Sequence, residues 1–335
     1  MYVKHALCFI LGNVKVIWGM KKANEEASCQ SEHNLDASIE KYTPKITEFL
    51  TQINRIILDK EQQTKLALCC LLAGGHVLFE DLPGLGKTTL SSALAKLAGL
   101  QFQRIQFTND MLASDVIGVN MFNQKEHQFE FKQGPIFTQI LLADEINRCS
   151  PKTQSALLEA MEEGYVTIDG TRHELPKPFW VMATQNPLFQ SGTYALPESQ
   201  LDRFLMRLSL GYPSRQAEKQ LLQQNSRQSL IYTLNHVFLE SEILELQNIV
   251  KDIFVSDVAL EYLLDLVEES RKGHHGLSTR GALALKKAAQ AHALIMQRNF
   301  VTSDDIQAVF SAVTSHRLGL SESEALHLMK QVRAS

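Results

Sequence analysis

The chain has 335 residues, of which 33 are lysine or arginine and 37 are aspartate or glutamate, giving a formal net charge of −4. This length is sufficient for two domains with a sizeable core, and the hydrophobic share of 44% is that of an ordinary globular protein. The charge balance provides no general electrostatic attraction to nucleic acid. The five cysteines show neither zinc-site nor CxxC spacing, so we expect reduced thiols.

The first 45 residues differ in composition from the rest of the chain, and their polar stretch between residues 21 and 40 predicts a variable, mobile segment. Residues 6–11 are apolar, but Gly12 and Lys15 interrupt the run, which is too short to span a bilayer. No clear small-residue cleavage site follows this run. We therefore expect a cytoplasmic protein, with any membrane contact made through a partner.

A glycine-rich segment follows the first predicted strand. Residues 46–72 have helical composition and precede the apolar run 76–79, which is typical of a buried parallel strand. The chain then reads Glu80-Asp81-Leu82-Pro83-Gly84-Leu85-Gly86-Lys87-Thr88, and helical composition continues from Thr89. A strand, a glycine turn and a helix in this order are the context in which backbone N–H groups and a helix N-terminus bind phosphate.

The residues of this loop have expected tasks in binding a nucleotide. Gly84 and Gly86 permit a close approach of the backbone to phosphate oxygens. Lys87 can reach the β- and γ-phosphates, and the Thr88 hydroxyl can ligate Mg²⁺. Asp81 stands where the strict motif has glycine, so an incidental lysine beside a glycine-rich turn is the alternative interpretation. The full predicted set is Asp81, Pro83, Gly84, Leu85, Gly86, Lys87, Thr88 and Thr89.

A pair of carboxylates follows a later predicted strand. Residues 102–107 predict a second strand, and two alternating runs around a polar tip predict a β-hairpin over residues 119–131. Residues 140–145 (ILLADE) then predict a buried strand that ends in Asp144 and Glu145. At the carboxyl end of a strand, Asp144 would hold Mg²⁺ and Glu145 would activate the attacking water as general base. The alternative is a pair of solvated acids.

Further elements follow the carboxylate pair. Ser150 and Pro151 predict the start of a helix that continues to Glu163. Residues 166–173 contain an Asp-Gly turn between two short alternating runs, which predicts a second hairpin. Residues 179–184 predict another buried strand, and residues 208–210 are expected to complete the sheet.

From residue 213 onward the apolar residues follow a helical period, and Thr302 begins a capped helix. We therefore predict an α/β fold in which a phosphate-binding core with a parallel sheet flanked by helices precedes a C-terminal all-helical lid domain. The predicted domains are a mobile segment over residues 1–45, the nucleotide-binding domain over 46–212 and the lid over 213–335.

Several longer motifs carry a resemblance to a known family. They are LADEINR at 142–148, TQSALLEAMEEG at 153–164, ATQNP at 183–187, LPESQLDRF at 196–204 and STR at 278–280. In this order, over roughly residues 46–320, the chain closely resembles the MoxR family of AAA+ ATPases, in the branch with a helix-2 insert. The hairpin at 119–131 is similar to that insert, and the hairpin at 166–173 is similar to the one before sensor 1.

The resemblance implies roles for three further residues. Asn186 matches sensor 1, which orients the attacking water, although it could instead be a residue of an Asn-Pro turn. Arg203 matches an arginine finger that reaches the γ-phosphate of a neighbouring subunit, although a surface ion pair with Asp202 or Glu198 is the alternative. Arg280 matches sensor 2, where the lid touches the nucleotide, although it could be a solvated arginine at a helix start.

The resemblance also implies the activity and the partners. These are Mg²⁺-dependent ATP hydrolysis in a homo-oligomer, expected to be a hexameric ring, coupled to chaperone-like remodelling or metal insertion in a partner protein. A partner with a von Willebrand factor A domain is expected. Whether either hairpin contacts that partner is left open by the sequence.

Other functions fit the residues less well. A GTPase would need an Asn-Lys-x-Asp motif, which the chain lacks, and a small-molecule kinase would need an acceptor pocket and no arginine finger. A nucleic-acid motor predicts basic hairpin tips, but these tips mix both signs of charge: Lys125, Glu126, His127, Asp169, Arg172 and His173.

Overall fold

The structure is a computed structural model that describes residues 34–82, 84–186, 192–223, 227–273 and 276–333. Five parallel strands form its central sheet in the order β2-β5-β8-β1-β9. They are β1 (His76–Glu80), β2 (Phe102–Gln106), β5 (Ile140–Asp144), β8 (Trp180–Gln185) and β9 (Phe204–Leu208). Because all five run in one direction, their carboxyl ends meet at one edge of the sheet.

Helices cover both faces of the sheet and form the C-terminal region. Within the described residues, a first helix α1 covers 34–56. The helices of the α/β core are α2 (Glu61–Leu72), α3 (Lys87–Ala98), α4 (Ala113–Ile117), α5 (Pro151–Glu163) and α6 (Glu198–Leu201). The helices that follow are α7 (Arg215–Gln223), α8 (Arg227–Tyr232), α9 (Glu240–Asp252), α10 (Asp257–Arg271), α11 (Thr279–Ile295), α12 (Ser303–Leu318) and α13 (Glu322–Gln331).

Two hydrophobic clusters lie on opposite faces of the sheet because successive side chains of a strand point in opposite directions. In β1, Val77 and Phe79 join the cluster that contains α2, α3 and the lid helices, whereas Leu78 joins the cluster under α5. All three side chains are fully buried. The continuous apolar run predicted for this strand is therefore explained by burial on both faces.

The first helix corrects the predicted extent of the N-terminal segment. Residues 34–45, expected to be mobile, are part of α1, and the apolar stripe Leu35, Ile39, Tyr42 and Ile46 packs onto the core. Lys45 Nζ pairs with Glu242 of α9 at 2.6 Å. Within the described part of the polar stretch, Asn34, Asp36 and Glu40 occupy the exposed face of this amphipathic helix. Residues 1–33, including the apolar run at 6–11, lie outside the described residues.

Both predicted hairpins are present and touch each other. The first pairs β3 (Gly118–Asn123) with β4 (Gln128–Gln133), and the second pairs β6 (Tyr165–Ile168) with β7 (Thr171–Glu174). Asn120 Nδ2 donates to Asp169 Oδ2 at 2.7 Å, and the Phe131 and His173 rings lie 4.0 Å apart between centroids. The two hairpins are therefore held together by a polar contact and a ring contact.

Two element boundaries illustrate what the local sequence encodes. Helix α5 begins and ends as predicted, and the Ser150 hydroxyl accepts a hydrogen bond from Thr153 N at 3.3 Å. The last strand differs from the prediction, since β9 ends at Leu208, where its pairing with β1 also ends. Beyond this point the N–H groups of Leu210 and Gly211 donate to the Asp81 carboxylate rather than to a neighbouring strand.

The lid contains a buried ionic cluster around Asp305, whose side chain is fully buried. Its carboxylate accepts bonds from His292 Nδ1 at 2.7 Å and from Arg298 Nη1 at 2.6 Å, and Thr302 N bonds to it at 2.8 Å. Burial works to raise the pKa of Asp305, but these hydrogen bonds outweigh it and lower the pKa to about 2. No helix in the described part of the chain is long and apolar enough to span a membrane.

Candidate functional site

The phosphate loop connects β1 to α3 at the carboxyl edge of the sheet. Gly84 and Gly86 have φ angles of 84° and 87°, in the left-handed region that favours glycine. A Cβ added at either residue would meet no protein atom within 4 Å, so the space in front of the loop is open. Gly86 is the N-cap of α3, and no side chain caps this helix. The first N–H groups of α3 are therefore available to an anion.

Lys87 stands at the mouth of this loop. Its Nζ donates to the carbonyl of Asp81 at 2.9 Å and to the carbonyl of Leu82 at 3.3 Å. Burial lowers the pKa of Lys87, and the nearby carboxylates of Asp81, Asp144 and Glu145 oppose this shift. The ammonium is thus held beside the carboxylates by neutral carbonyls that a phosphate oxygen could replace.

Asp81 has a different position from the other loop residues. It borders the cavity, but its carboxylate is 5% exposed and turns toward the end of β9. There it accepts bonds from Ser209 Oγ at 2.7 Å, Leu210 N at 2.7 Å and Gly211 N at 3.1 Å. The carboxylate thus ties the start of the phosphate loop to the segment after β9.

Asp144 lies at the end of β5, and its carboxylate has two side-chain partners, Thr184 and Arg104. The Thr184 hydroxyl donates to Asp144 Oδ1 at 2.6 Å and accepts a bond from Glu145 N at 2.9 Å. Arg104 Nη2 pairs with the other oxygen, Oδ2, at 2.7 Å. Thr184 fixes the orientation of the carboxylate, while Arg104 supplies a positive charge where a cation would bind.

Glu145 has a strained backbone and two side-chain partners. Its φ angle of 56° lies in the left-handed region, which costs free energy for a residue other than glycine. Its Oε2 accepts a bond from Gln106 Nε2 at 2.8 Å and pairs with Arg148 Nε at 3.1 Å. The strained turn directs this carboxylate away from the strand and toward the cavity that Asp144 also borders.

These groups surround one cavity of about 380 Å³. Its lining residues are Asp81, Gly84, Gly86, Lys87, Thr88, Thr89, Arg104, Gln106, Asp144, Glu145, Thr184, Gln185 and Asn186. Loop N–H groups and Lys87 fit a polyphosphate, and Thr88 with Asp144 offers the oxygen ligands that Mg²⁺ takes alongside nucleotide phosphates. No described group of three or more His, Cys, Asp or Glu side chains could hold a metal by itself.

The structure brings together most of the predicted site residues. The exceptions are Leu85, which lies in the loop without bordering the cavity, Pro83, which lies outside the described residues, and the arginines Arg203 and Arg280. Asn186 borders the cavity and follows directly after the end of β8.

The two arginines lie side by side, and neither borders the cavity. Arg203 Nη2 pairs with Glu162 Oε2 at 3.2 Å, and Arg280 Nη2 pairs with the other oxygen of the same carboxylate at 3.1 Å. Arg280 Nη1 also lies 3.9 Å from Asp202 Oδ2. The expected contact of Arg280 with the nucleotide cavity of its own subunit is not seen, since the lid presents this arginine beside Arg203.

Sequence reasoning missed Arg104, Gln106, Thr184 and Gln185 as site residues. Arg104 and Gln106 are two positions apart on β2, so both side chains point to one face. In the register between strands, Gln106 pairs with Asp144. The alternating polar residues on a predicted strand were a visible signal, but using it required the strand order, which places β2 beside β5.

Comparisons with known proteins agree with this geometry. The family model for the ATPase family associated with various cellular activities (AAA) matches residues 76–206, and the AAA lid domain model matches residues 269–333. An uncharacterized protein of Bacillus subtilis, YeaC, is 49% identical over 280 residues, which are 83% of this chain and 88% of the relative. The Chaperone MoxR1 of Mycobacterium tuberculosis is 37% identical over 81% of this chain and 74% of its own length.

A solved structure supports the same assignment. The crystal structure of a candidate ATPase from Cytophaga hutchinsonii is 34% identical and superposes with a TM-score of 0.81. The match covers 90% of this chain and 98% of that chain. The phosphate loop, the two carboxylates at the end of β5 and the helical lid agree with these matches, and the chain belongs to the MoxR family of AAA+ ATPases.

Proposed function

We propose that this ATPase works in a ring, that each nucleotide site is completed by arginines of the neighbouring subunit, and that hydrolysis remodels a partner protein. The observation that carries the proposal is the placement of Arg203 and Arg280. Both flank one carboxylate, Glu162, outside the cavity that the phosphate loop and the carboxylates of the same subunit line. Two guanidiniums that bracket a carboxylate are spaced to bracket a phosphate.

Within one subunit, the cavity residues have separate tasks in this proposal. The N–H groups that begin α3 and the Lys87 ammonium hold the phosphates of ATP. Glu145 accepts the proton of the attacking water, and Asn186 orients that water. Thr88 and Asp144 would hold Mg²⁺, and the bound ion would supply positive charge to offset the negative charge that develops during transfer.

The arginines would act on the neighbouring subunit. Arg203 and Arg280 leave Glu162 and bind the γ-phosphate held by the next subunit, and hydrolysis removes that contact. The change is then transmitted to the lid, which carries Arg280. A ring of six subunits is the assembly that the resemblance implies, and a heterologous interface forms a ring when the rotation between subunits closes.

The test uses defects on opposite sides of an interface. ATP turnover per subunit is measured against protein concentration for the wild type, Glu145→Gln, Arg203→Ala and Arg280→Ala. We expect turnover to rise with concentration and to be lost in each variant. Turnover that is independent of concentration and survives Arg203→Ala would contradict the proposal.

Mixing the variants separates sites in one subunit from sites shared by two. In an equal mixture of Glu145→Gln with either arginine variant, roughly a quarter of the interfaces join an intact Glu145 to an intact arginine. We expect a corresponding regain for both mixtures. If Arg280 acted on its own subunit's nucleotide, its mixture with Glu145→Gln would stay inactive.

The first hairpin supports contact with a protein client. Phe122 and Phe129 pair across β3 and β4 with ring centroids 5.4 Å apart, and both rings are mainly exposed. Exposed aromatic pairs of this kind are typical of surfaces that bind polypeptide. The Chaperone MoxR1 is named for such an activity, and we extend it to this chain. The resemblance further suggests an adaptor with a von Willebrand factor A domain, or a metal-insertion role.

A stimulation assay distinguishes a protein client from nucleic acid. ATP turnover is measured with a permanently unfolded protein, such as carboxymethylated lactalbumin, and with single-stranded DNA. We expect the unfolded protein to stimulate turnover and single-stranded DNA to have no effect. The double variant Phe122→Ser, Phe129→Ser should lose this stimulation and keep its basal turnover. Stimulation by DNA alone would favour a nucleic-acid motor instead.

A further inference from the structure

A buried arginine of the lid contacts the segment that carries Arg203. Arg317 lies on α12, and its side chain is only 5% exposed. Its Nε donates to Asp202 Oδ1 at 2.7 Å, and its Nη2 donates to the backbone carbonyls of Asp202 at 3.2 Å and Phe204 at 2.8 Å. Its Nη1 donates to the carbonyl of Leu205 at 3.1 Å. One guanidinium therefore binds the backbone on both sides of Arg203.

The preceding residue of α12 contacts the same segment. His316 Nε2 lies 3.0 Å from the Phe204 carbonyl oxygen and 3.0 Å from Arg317 Nη1. The ring is buried, and this burial, together with the charge of Arg317, lowers the pKa of His316 well below its ordinary value, so the ring is neutral. Two successive side chains of the lid thus contact residues 202–205, and Arg317 makes the hydrogen bonds of fixed direction.

Arg203 itself has weaker restraints. Its side chain is 29% exposed and pairs with Glu162 at 3.2 Å. The proposed reaction requires this side chain to exchange Glu162 for a phosphate of the neighbouring subunit. The position of its backbone must then be set by other groups, and the hydrogen bonds that Arg317 donates to the carbonyls of residues 202, 204 and 205 restrain that backbone directly.

We propose that Arg317 is a positioning residue that fixes the Arg203 finger to the lid, so that the finger and the lid move as one body. The inference rests on the proposed function, in which Arg203 acts on the neighbouring subunit. Arg317 does not border the nucleotide cavity of its own subunit. Its loss should therefore leave that cavity intact and impair the finger delivered to the neighbour.

The experiment compares Arg317→Met with Arg203→Ala in the full chain. We expect Arg317→Met to lower kcat for ATP about 100-fold, as a misplaced catalytic group does, with KM changed less than about threefold. In an equal mixture with Glu145→Gln, turnover should return to roughly a quarter of the wild-type value, as for Arg203→Ala. Arg317→Lys keeps the positive charge but can make fewer hydrogen bonds, so its kcat should lie between those of the wild type and Arg317→Met.

A matched control removes another lid arginine. Arg298 pairs with the buried Asp305 and makes no described bond to residues 202–205. Arg298→Met should lower thermal stability while keeping kcat near the wild-type value. If Arg298→Met loses as much kcat as Arg317→Met, any damage to the lid is sufficient to lower turnover, and this result would overturn the positioning role of Arg317.

The outcomes separate this inference from the proposed function. If Arg203→Ala does not regain turnover on mixing, the shared site itself is wrong. If Arg203→Ala regains turnover but Arg317→Met either keeps wild-type kcat or stays inactive in the mixture, the shared site stands and the role of Arg317 is wrong. Should Arg317→Met fail to fold, Arg317→Lys is judged by the same criteria.

Discussion

Replacing Asp81 by alanine tests whether this residue binds the nucleotide or anchors the loop. The sequence placed Asp81 among the nucleotide ligands, whereas its buried carboxylate bonds to Ser209, Leu210 and Gly211. If anchoring dominates, the substitution acts on the nucleotide-free protein. Its main effect is then a loss of folding stability that does not depend on ATP.

The magnitude follows from the groups that lose a partner. In Asp81→Ala, the N–H groups of Leu210 and Gly211 lose a charged acceptor, and Leu210 N is buried. An orphaned buried donor costs about 1–3 kcal/mol, and the partly buried donor costs less, so we expect a total of about 2–4 kcal/mol. Asp81→Asn keeps one acceptor oxygen and presents an amide to the other donor, so we expect about half that loss.

Urea unfolding in the absence of nucleotide measures this loss, followed by circular dichroism. We expect a lower midpoint for Asp81→Ala with an unchanged dependence on urea. The control is Glu126→Ala on the exposed hairpin tip, which should unfold like the wild type. A wild-type midpoint for Asp81→Ala, together with a tenfold or greater loss of nucleotide affinity, would refute the anchoring argument and restore Asp81 as a ligand.

Three further predictions concern the site and the lid. Arg104→Ala should raise the affinity of the Asp144 site for Mn²⁺ with ADP, measured by calorimetry, by no more than about fivefold, because an exposed ion pair contributes under about 1 kcal/mol. Unchanged or weaker binding would contradict the idea that Arg104 competes with the metal ion for Asp144. Thr184→Val should lower kcat about 10- to 100-fold through misplacement of Asp144 and Glu145, and unchanged turnover would show that the hydroxyl is dispensable. Because the folded-state pKa of Asp305 is about 2, against 3.8 ordinarily, its ionised form stabilises the fold above pH 3.8, and this contribution is lost as pH falls toward 2. Asp305→Asn should remove about 2 kcal/mol of that pH dependence in denaturation curves, and an unaltered slope would refute the assignment.

The features that the sequence predicted correctly depend on neighbours in the chain. Gly84, Gly86 and Lys87 lie within one loop, and Asp144 follows directly on its own apolar strand. Such short-range patterns encode the turn, the strand and the helix start without reference to the rest of the fold. The two hairpins and the bounds of α5 were predictable for the same reason.

The features that were missed depend on residues distant in the chain. Asp81 and Leu210 are joined by a hydrogen bond across 129 positions, and Arg104 reaches Asp144 across 40 positions. These contacts follow from strand order, because β9 lies beside β1 and β5 lies beside β2. The position of Arg280 depends on how the lid packs along β9, which periodicity does not encode.

Arg104, Arg280 and Arg317 differ in how readily they can exchange their partners. Arg280 is 59% exposed and Arg104 is 46% exposed in their ion pairs, and pairs of this kind contribute about 0–1 kcal/mol. A triphosphate with its metal can therefore replace those partners at small cost. Arg317 is 5% exposed and its partner Asp202 is 24% exposed, so breaking this mostly buried pair on one side costs at most the roughly 3–5 kcal/mol of a fully buried pair. If Arg280 exchanges its carboxylate partner for a phosphate while the pair between Arg317 and Asp202 stays intact, a change at one nucleotide site would move the lid of the adjoining subunit.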